Sequence, residues 1–330
     1  MQEGPWDVAV IGSGPVGLFA SSMCALLGLR TVVLETLHEI GGQCSALYPH
    51  KKVCGVPGFP NVTARELVKG LGEQVSCLGV ALRLGWRVRR MEYSDATWRM
   101  ESDSGSITAK AVIIAVGMGS LTPNKPDLEG IERFEGRYVH YHVKEPTFFA
   151  GQSVVIAGGG DSAVDWALEL ACHAKDVTLV HRRDVFRCAP SNLEKLGQKE
   201  SKGEVRILRS HRLLRLEGEE KLERAVVEGE DGQKILEVDH FLVFFGLLPH
   251  LTDVQQWPVT IERQRIRIDR MTCGTGQPGL FAVGDAVTYE GKVNIIASGF
   301  GEAVTAAYGA AAYLRPDTPL RKDSQSFHSV

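Results

Sequence analysis

No Cys-x-x-Cys pair occurs anywhere in this 330-residue chain. That absence removes the most specific zinc and redox-dithiol signatures. The seven cysteines are odd in number and widely spaced, which argues against the disulfide framework of a secreted protein. Net charge is lacking too: 37 basic against 40 acidic side chains leave −3, so no overall field points to nucleic acid or a membrane as partner. Long apolar runs are missing; Phe241 to Leu248 reaches less than half of the ~20 residues a membrane span needs. The opening MQEGPWDVAVIGSG has neither a basic region nor a small-residue cleavage site, so no signal peptide is expected and the chain reads as cytoplasmic.

What is plentiful is glycine, 36 residues, enough to expect several turns where a ligand approaches the backbone. The length suggests two domains. Self-comparison then finds a repeat. Residues 8–35, VAVIGSGPVGLFASSMCALLGLRTVVLE, and 154–183, VVIAGGGDSAVDWALELACHAKDVTLVHRR, share one pattern. Each reads as an apolar strand, a glycine turn, a helix and a β-branched strand, the βαβ unit of dinucleotide binding.

In the first copy Gly12 allows the tight turn, Gly14 lets a pyrophosphate approach, and Gly17 permits close helix packing. Pro15 suits the first helical position, and the helix N-terminus offers free N–H groups to phosphates. Glu35 closes the second strand, where a carboxylate accepts hydrogen bonds from ribose hydroxyls. In the second copy Gly158, Gly160 and Ala163 take the fingerprint positions, with Asp161 and Ser162 at the helix start. The position matching Glu35 is His181, followed by Arg182 and Arg183. A carboxylate there would repel a 2′-phosphate, whereas guanidinium groups bind one bidentately; Arg187 adds a possible fourth contact. The first site therefore fits an adenosine with a free 2′-OH and the second fits NADP(H). Two such sites in one chain suggest a flavin in one and a nicotinamide in the other.

The second unit is inserted into the first. Residues 106–117 and 240–246 each read as a strand closing its own nucleotide-binding fold, and a Pro- or Gly-bearing stretch follows both. The expected division is a flavin domain of 1–117 and 247–330, with an NADP domain at 118–246. This gives an α/β fold with two Rossmann-like three-layer domains. Between Thr36 and Pro60 lies a long loop of the kind that carries function. Thr63 and Glu66 form a capping box for a helix to about Leu78. Residues 202–237 read as a meander of strands with exposed faces, the run from Glu217 to Gly232 being a solvated hairpin. Arg83, Arg87, Arg89 and Arg90 make a basic strand, read as a solvated face with a smaller case for docking an acidic redox protein.

A third motif, GLFAVGDA at 279–286, is a buried strand ending in Gly284 and Asp285, where an Asp can bind flavin ribitol or pyrophosphate-side hydroxyls. Together GSGPVG, Glu35, GGQ, GGGDSA, HRR and LFAVGD resemble the two-dinucleotide flavoproteins of the thioredoxin reductase type. Those enzymes carry a CxxC just before the glycine-rich helix of the NADP domain, and this chain has none there. The strings GGQCSALYP, GGGDSAVDWALELA and IIASGFGEAVTAAY are similar to the thioredoxin-reductase-like ferredoxin–NADP+ reductases.

That resemblance implies FAD in the first domain, NADP(H) in the second, a homodimer, and ferredoxin or flavodoxin as partner. It adds Gln43, Ser298 and Tyr48 to the FAD set. The tyrosine stacks on one flavin face, and His328, with Phe327 as alternate, covers the other. Hydride would pass from NADPH to the flavin and electrons would leave singly. No side-chain acid or base is needed, so no strictly catalytic residue and no metal ligand is expected. Two alternatives stay open: a disulfide reductase in which Cys44 and Cys54 meet over the flavin, and a slow-turnover NADPH-sensing flavoprotein.

Overall fold

The computed structural model describes residues 5–143, 145–250 and 252–318. The chain forms two compact units, 1–120 with 249–330, and 121–248. The sequence-based division stands a few residues earlier at both crossings.

The discontinuous unit is built on a sheet in the order Ala81–Arg83, Thr31–Leu34, Trp6–Ile11, Gly105–Ile114, Thr97–Ser102, Arg90–Ser94, and Leu280–Ala282 also pairs with Gly105–Ile114. The pivotal strand is Gly105–Ile114. Its first half pairs antiparallel with Thr97–Ser102, and its second half runs parallel to both Trp6–Ile11 and Leu280–Ala282. β-Branched runs explain the middle of the sheet. Val8, Val10, Val32, Val33, Val112 and Ile113 have no exposed surface. Burying each such side chain contributes about 1.5–3 kcal/mol, so these strands dominate the unit's stability. The helix Pro15–Leu26 packs against both Ala64–Cys77 and Ile296–Leu314. Ala64–Cys77 begins with the expected capping box, Thr63 and Glu66 bonding each other's backbone N–H.

The continuous unit has a fully parallel sheet in the order Val139–His140, His240–Phe244, Ser153–Gly158, Asp176–Val180, Arg206–Leu208. Beside it lies an antiparallel sheet of Arg212–Glu217, Arg224–Gly229 and Gly232–Glu237. The expectation of a solvated meander fails in its centre. Ala225, Val226 and Val227 are buried in succession, as are Leu216, Leu222 and Leu236. Three consecutive buried residues mean that both faces of the middle strand are covered, because side chains alternate across a strand.

The expected basic strand is not one strand: Arg83 ends Ala81–Arg83, Arg87 and Arg89 lie in the connection, Arg90 opens Arg90–Ser94, and three of the four arginines are neutralised at home. Arg87 pairs with Asp253 at 2.6 Å, Arg89 with Asp103 at 2.9 Å, and Arg90 with Glu92. Among the described residues no helix is long and apolar enough to cross a membrane, and no group of three or more His, Cys, Asp or Glu could hold a metal ion.

Candidate functional site

Both glycine turns lie at the carboxyl ends of parallel strands, where open α/β sheets bind ligands. In the first, Gly12 has φ +105°, and a Cβ there would sit 2.4 Å from the Ala115 carbonyl oxygen. A Cβ on Gly17 would lie 2.1 Å from the Gly12 oxygen. Both are excluded contacts, so strand and helix close together only with glycine at these positions. At Gly14 the reverse holds: nothing lies within 4 Å of where a side chain would be. The turn is solid behind and open in front. Pro15 occupies the first helical turn, and no side chain caps the helix start. Its N–H groups therefore face the opening without a protein side-chain acceptor, a fit for a pyrophosphate.

Glu35 is 6% exposed and tied into this turn. Its Oε2 accepts from the Ser13 N–H and the Ser13 hydroxyl, both at 2.7 Å, and Oε1 accepts from the Leu37 N–H at 2.8 Å. Ser13 was not singled out by sequence reading, since the middle position of a glycine fingerprint is variable; here it fixes the carboxylate. Oε1 keeps a free lone pair with which a ribose hydroxyl could bond.

The loop after the second strand folds back over the same turn. The Gly41 N–H donates to the Ser13 carbonyl at 2.8 Å, and a Cβ on Gly42 would stand 3.3 Å from Gly14 Cα. Gln43 opens the short helix Gln43–Ala46, with its side-chain nitrogen 3.4 Å from where a Cβ on Gly117 would be. Cys44 is buried, and its thiol donates weakly to the Tyr48 hydroxyl oxygen at 3.9 Å. Burial pushes both the Cys44 thiol and the half-buried Tyr48 phenol up, and the Asp285 carboxylate adds to both shifts. The fold thus brings Tyr48 and Cys44 within electrostatic reach of Asp285, which follows the strand Leu280–Ala282 in the turn Gly284–Ala286. Ser298 is engaged locally: its hydroxyl is turned onto the carbonyls of Val293 and Ile295 at 2.5 and 2.9 Å. His328 and Phe327 lie outside the described residues.

Cys54 is exposed and Cys44 is buried, and all seven cysteines are free. Nothing poises the buried member as a thiolate, the form that attacks a disulfide.

The second turn is built differently. Ala163 stands where the first copy needs glycine, its Cβ 2.8 Å from where a Cβ on Gly158 would be. The helix Asp161–Leu170 also starts without a side-chain cap, and Asp161 accepts from the Ala189 N–H at 2.9 Å. Ser162 follows it, exposed. His181 covers the turn: a Cβ on Gly159 would come within 2.1 Å of its ring. The ring is stacked on Phe186 at 5.1 Å, and Nε2 lies 3.2 Å from the Val185 carbonyl. Burial, aided by Arg183, Arg182 and Arg187, holds its pKa below the usual histidine range. The loop is pinned from two sides, by Arg187 N–H to the Gly159 carbonyl at 2.6 Å and by Ser210 N–H to the Arg183 carbonyl at 3.3 Å. Arg182, Arg183 and Arg187 are exposed, and none is ion-paired with a carboxylate among the described residues. Three guanidiniums without acidic partners among the described residues, beside a turn left open at Gly160, are a cradle for an anion.

Residues 6–310 match the family model described as pyridine nucleotide-disulphide oxidoreductase. The chain is 43% identical to a ferredoxin–NADP reductase of Rhodospirillum rubrum, over 95% of this chain and 93% of that protein. It is 42% identical to a ferredoxin–NADP reductase of Thermus thermophilus, over 94% of this chain and 93% of that one. A solved structure of Lactococcus lactis thioredoxin reductase superposes with a TM-score of 0.77 at 27% identity, covering 94% and 99% of the two chains.

Proposed function

The chain belongs to the pyridine nucleotide-disulphide oxidoreductase family, and from that membership we propose that it is an FAD-dependent ferredoxin–NADP+ reductase. The observation that carries this reading is a near-full-length likeness to ferredoxin–NADP reductases in a chain without a Cys-x-x-Cys pair. When bound, FAD and NADP(H) supply the redox chemistry, hydride exchange between flavin and nicotinamide and single-electron transfer to an iron–sulfur protein.

The protein's contribution is placement. Gly12, Gly14, Pro15 and Gly17 leave the groove for the FAD pyrophosphate, and Glu35 orients the adenosine ribose. Gln43 and Tyr48 close the loop over the flavin, with the tyrosine ring shielding one face from water. Asp285 and Gly284 hold the ribityl side, and Ser298 stands at the start of the helix Ile296–Leu314. Gly158, Gly160, Asp161 and Ser162 receive the NADP(H) pyrophosphate. Arg182, Arg183 and Arg187 neutralise its 2′-phosphate, while His181, kept neutral, covers the turn. The unit 1–120 with 249–330 is the FAD domain and 121–248 the NADP domain. Ferredoxin is the partner, flavodoxin a second acidic acceptor, and the working form a cytoplasmic homodimer.

The test is steady-state NADPH oxidation against a panel of ferredoxin, flavodoxin, thioredoxin and quinone. Ferredoxin reduction should dominate and should survive a Cys44→Ser/Cys54→Ser double substitution. Activity confined to the disulfide substrate, lost in the double variant, would overturn the proposal.

A further inference from the structure

One buried group of charges in the discontinuous unit lies outside both dinucleotide fingerprints. The helix Ile296–Leu314, IASGFGEAVTAAYGAAAYL, carries a single charged residue, Glu302, in an otherwise uncharged stretch rich in alanine and glycine. Its side chain is 7% exposed, and that of its ion-pair partner Lys292 is 6% exposed. Taking two charges out of water costs several kcal/mol each unless hydrogen bonds and close pairing repay it. A buried pair of this kind therefore calls for a reason.

Its contacts supply one. Glu302 Oε2 accepts from the Gly284 N–H at 2.7 Å, while Oε1 accepts from the Tyr289 hydroxyl at 2.7 Å and from the Lys292 ammonium. Gly284 stands at φ +77°, one residue before Asp285, so this N–H fixes the peptide plane that aims the turn. The middle of the same turn is gripped separately. Arg265 donates to the Asp285 carbonyl at 3.0 Å and to the Asn294 side-chain oxygen at 2.6 Å. The turn Gly284–Ala286 is thus held at its first N–H by Glu302 and at its middle carbonyl by Arg265. Both holders also reach into the segment 289–294, which leads to the long helix. Small residues let the helix approach: a Cβ on Gly299 would meet Val16 at 2.5 Å and Gly284 Cα at 3.5 Å.

We propose that Glu302, paired with Lys292 and seconded by Arg265, is a positioning residue for FAD that presets the Gly284–Asp285 turn before the cofactor binds. This rests on the reading of that turn as part of the FAD site. Asp285 then meets the cofactor without reorganisation, and the ordering cost falls on folding instead of binding. The charge on Glu302 matters because the acceptor must be strong and must neutralise Lys292; the acceptor itself matters because a buried, unpaired N–H would let the turn rotate.

The experiment is FAD titration of apoprotein, followed by flavin fluorescence, for wild type and four variants, with the melting temperature of each apoprotein measured alongside. Glu302→Ala removes acceptor and charge, and should weaken FAD binding by about tenfold or more. Glu302→Gln and Lys292→Met each leave a buried group unpaired and should weaken it by a few-fold to about tenfold. The Lys292→Met/Glu302→Gln double variant keeps an oxygen for the Gly284 N–H with no net buried charge, and should recover affinity to within about threefold of wild type. If Glu302→Ala does not fold, the two single variants and their double still decide. Equal FAD affinities across all folded variants, with only melting temperatures shifted, would make the cluster a scaffold element and overturn the proposal. Failure of the wild-type apoprotein to bind FAD would instead overturn the reading of the site.

Discussion

The two glycine turns share an ancestry of pattern but solve opposite problems. The first ends in a carboxylate that is buried and already bonded to Ser13 and Leu37. The second ends in guanidiniums that are exposed and pair with no carboxylate among the described residues. One turn is closed round its polar anchor and backed by a loop that folds over it; the other presents charge to solvent. Preorganised burial favours tight retention, because little remains to be ordered on binding, whereas solvated arginines favour fast capture and release. That contrast is what a resident FAD and an exchanging NADP(H) require. On the proposed reading, a shared fingerprint specifies the phosphate groove and the strand end distinguishes the two nucleotides.

The largest expected effect breaks the second half of the comparison. Arg182→Ala/Arg183→Ala should lower kcat/KM for NADPH by roughly two orders of magnitude or more, since each charge-assisted bond is worth about 1.5–3 kcal/mol, and should leave NADH almost untouched. An equal loss for both nucleotides would show that the arginines do not read the 2′-phosphate.

Next comes the packing difference. Gly17→Ala drives a methyl into the Gly12 carbonyl, and a change of this kind costs about 1–3 kcal/mol. Ala163→Gly at the equivalent place should cost only about 0.5–1 kcal/mol. Thermal melting of both variants checks the asymmetry, and similar losses would refute it. Smaller again, Glu35→Gln puts an amide donor among the N–H groups of Ser13 and Leu37, and should weaken FAD binding about tenfold without altering the NADPH KM.

A further effect is a pH dependence confined to the continuous unit. His140 is pushed down to about 4 by burial and by the neighbouring His240 and His142. His140 Nε2 and His240 Nδ1 lie 3.0 Å apart. Because the folded value lies below the unfolded 6.5, the unfolded chain binds the proton more readily, so stability falls as pH drops from about 6.5 toward 4. Amide exchange in His240–Phe244 should rise over that range before exchange in Trp6–Ile11 does. His140→Phe should flatten the difference.

The sequence alone determined the two βαβ units, the acid–base contrast between Glu35 and His181–Arg183, and the capping box at Thr63. Each rests on residues a few positions apart or on strand–turn–helix spacing, where local sterics and hydrogen bonds dictate the outcome. The nearly complete burial of Ala225–Val227 was not legible, because a charged, alternating stretch reads as solvated until a neighbouring core is known to cover it. Glu302 left a faint mark, one charge in a helix of small residues, but nothing local said which N–H it would meet. Only the parallel pairing of Leu280–Ala282 beside Gly105–Ile114 carries Gly284 to the helix that bears Glu302, and Asp285 within electrostatic reach of Tyr48. Contacts between segments so far apart in the chain exist once the sheet order is set, and burial then makes every unpaired polar group among them costly enough to fix its partner.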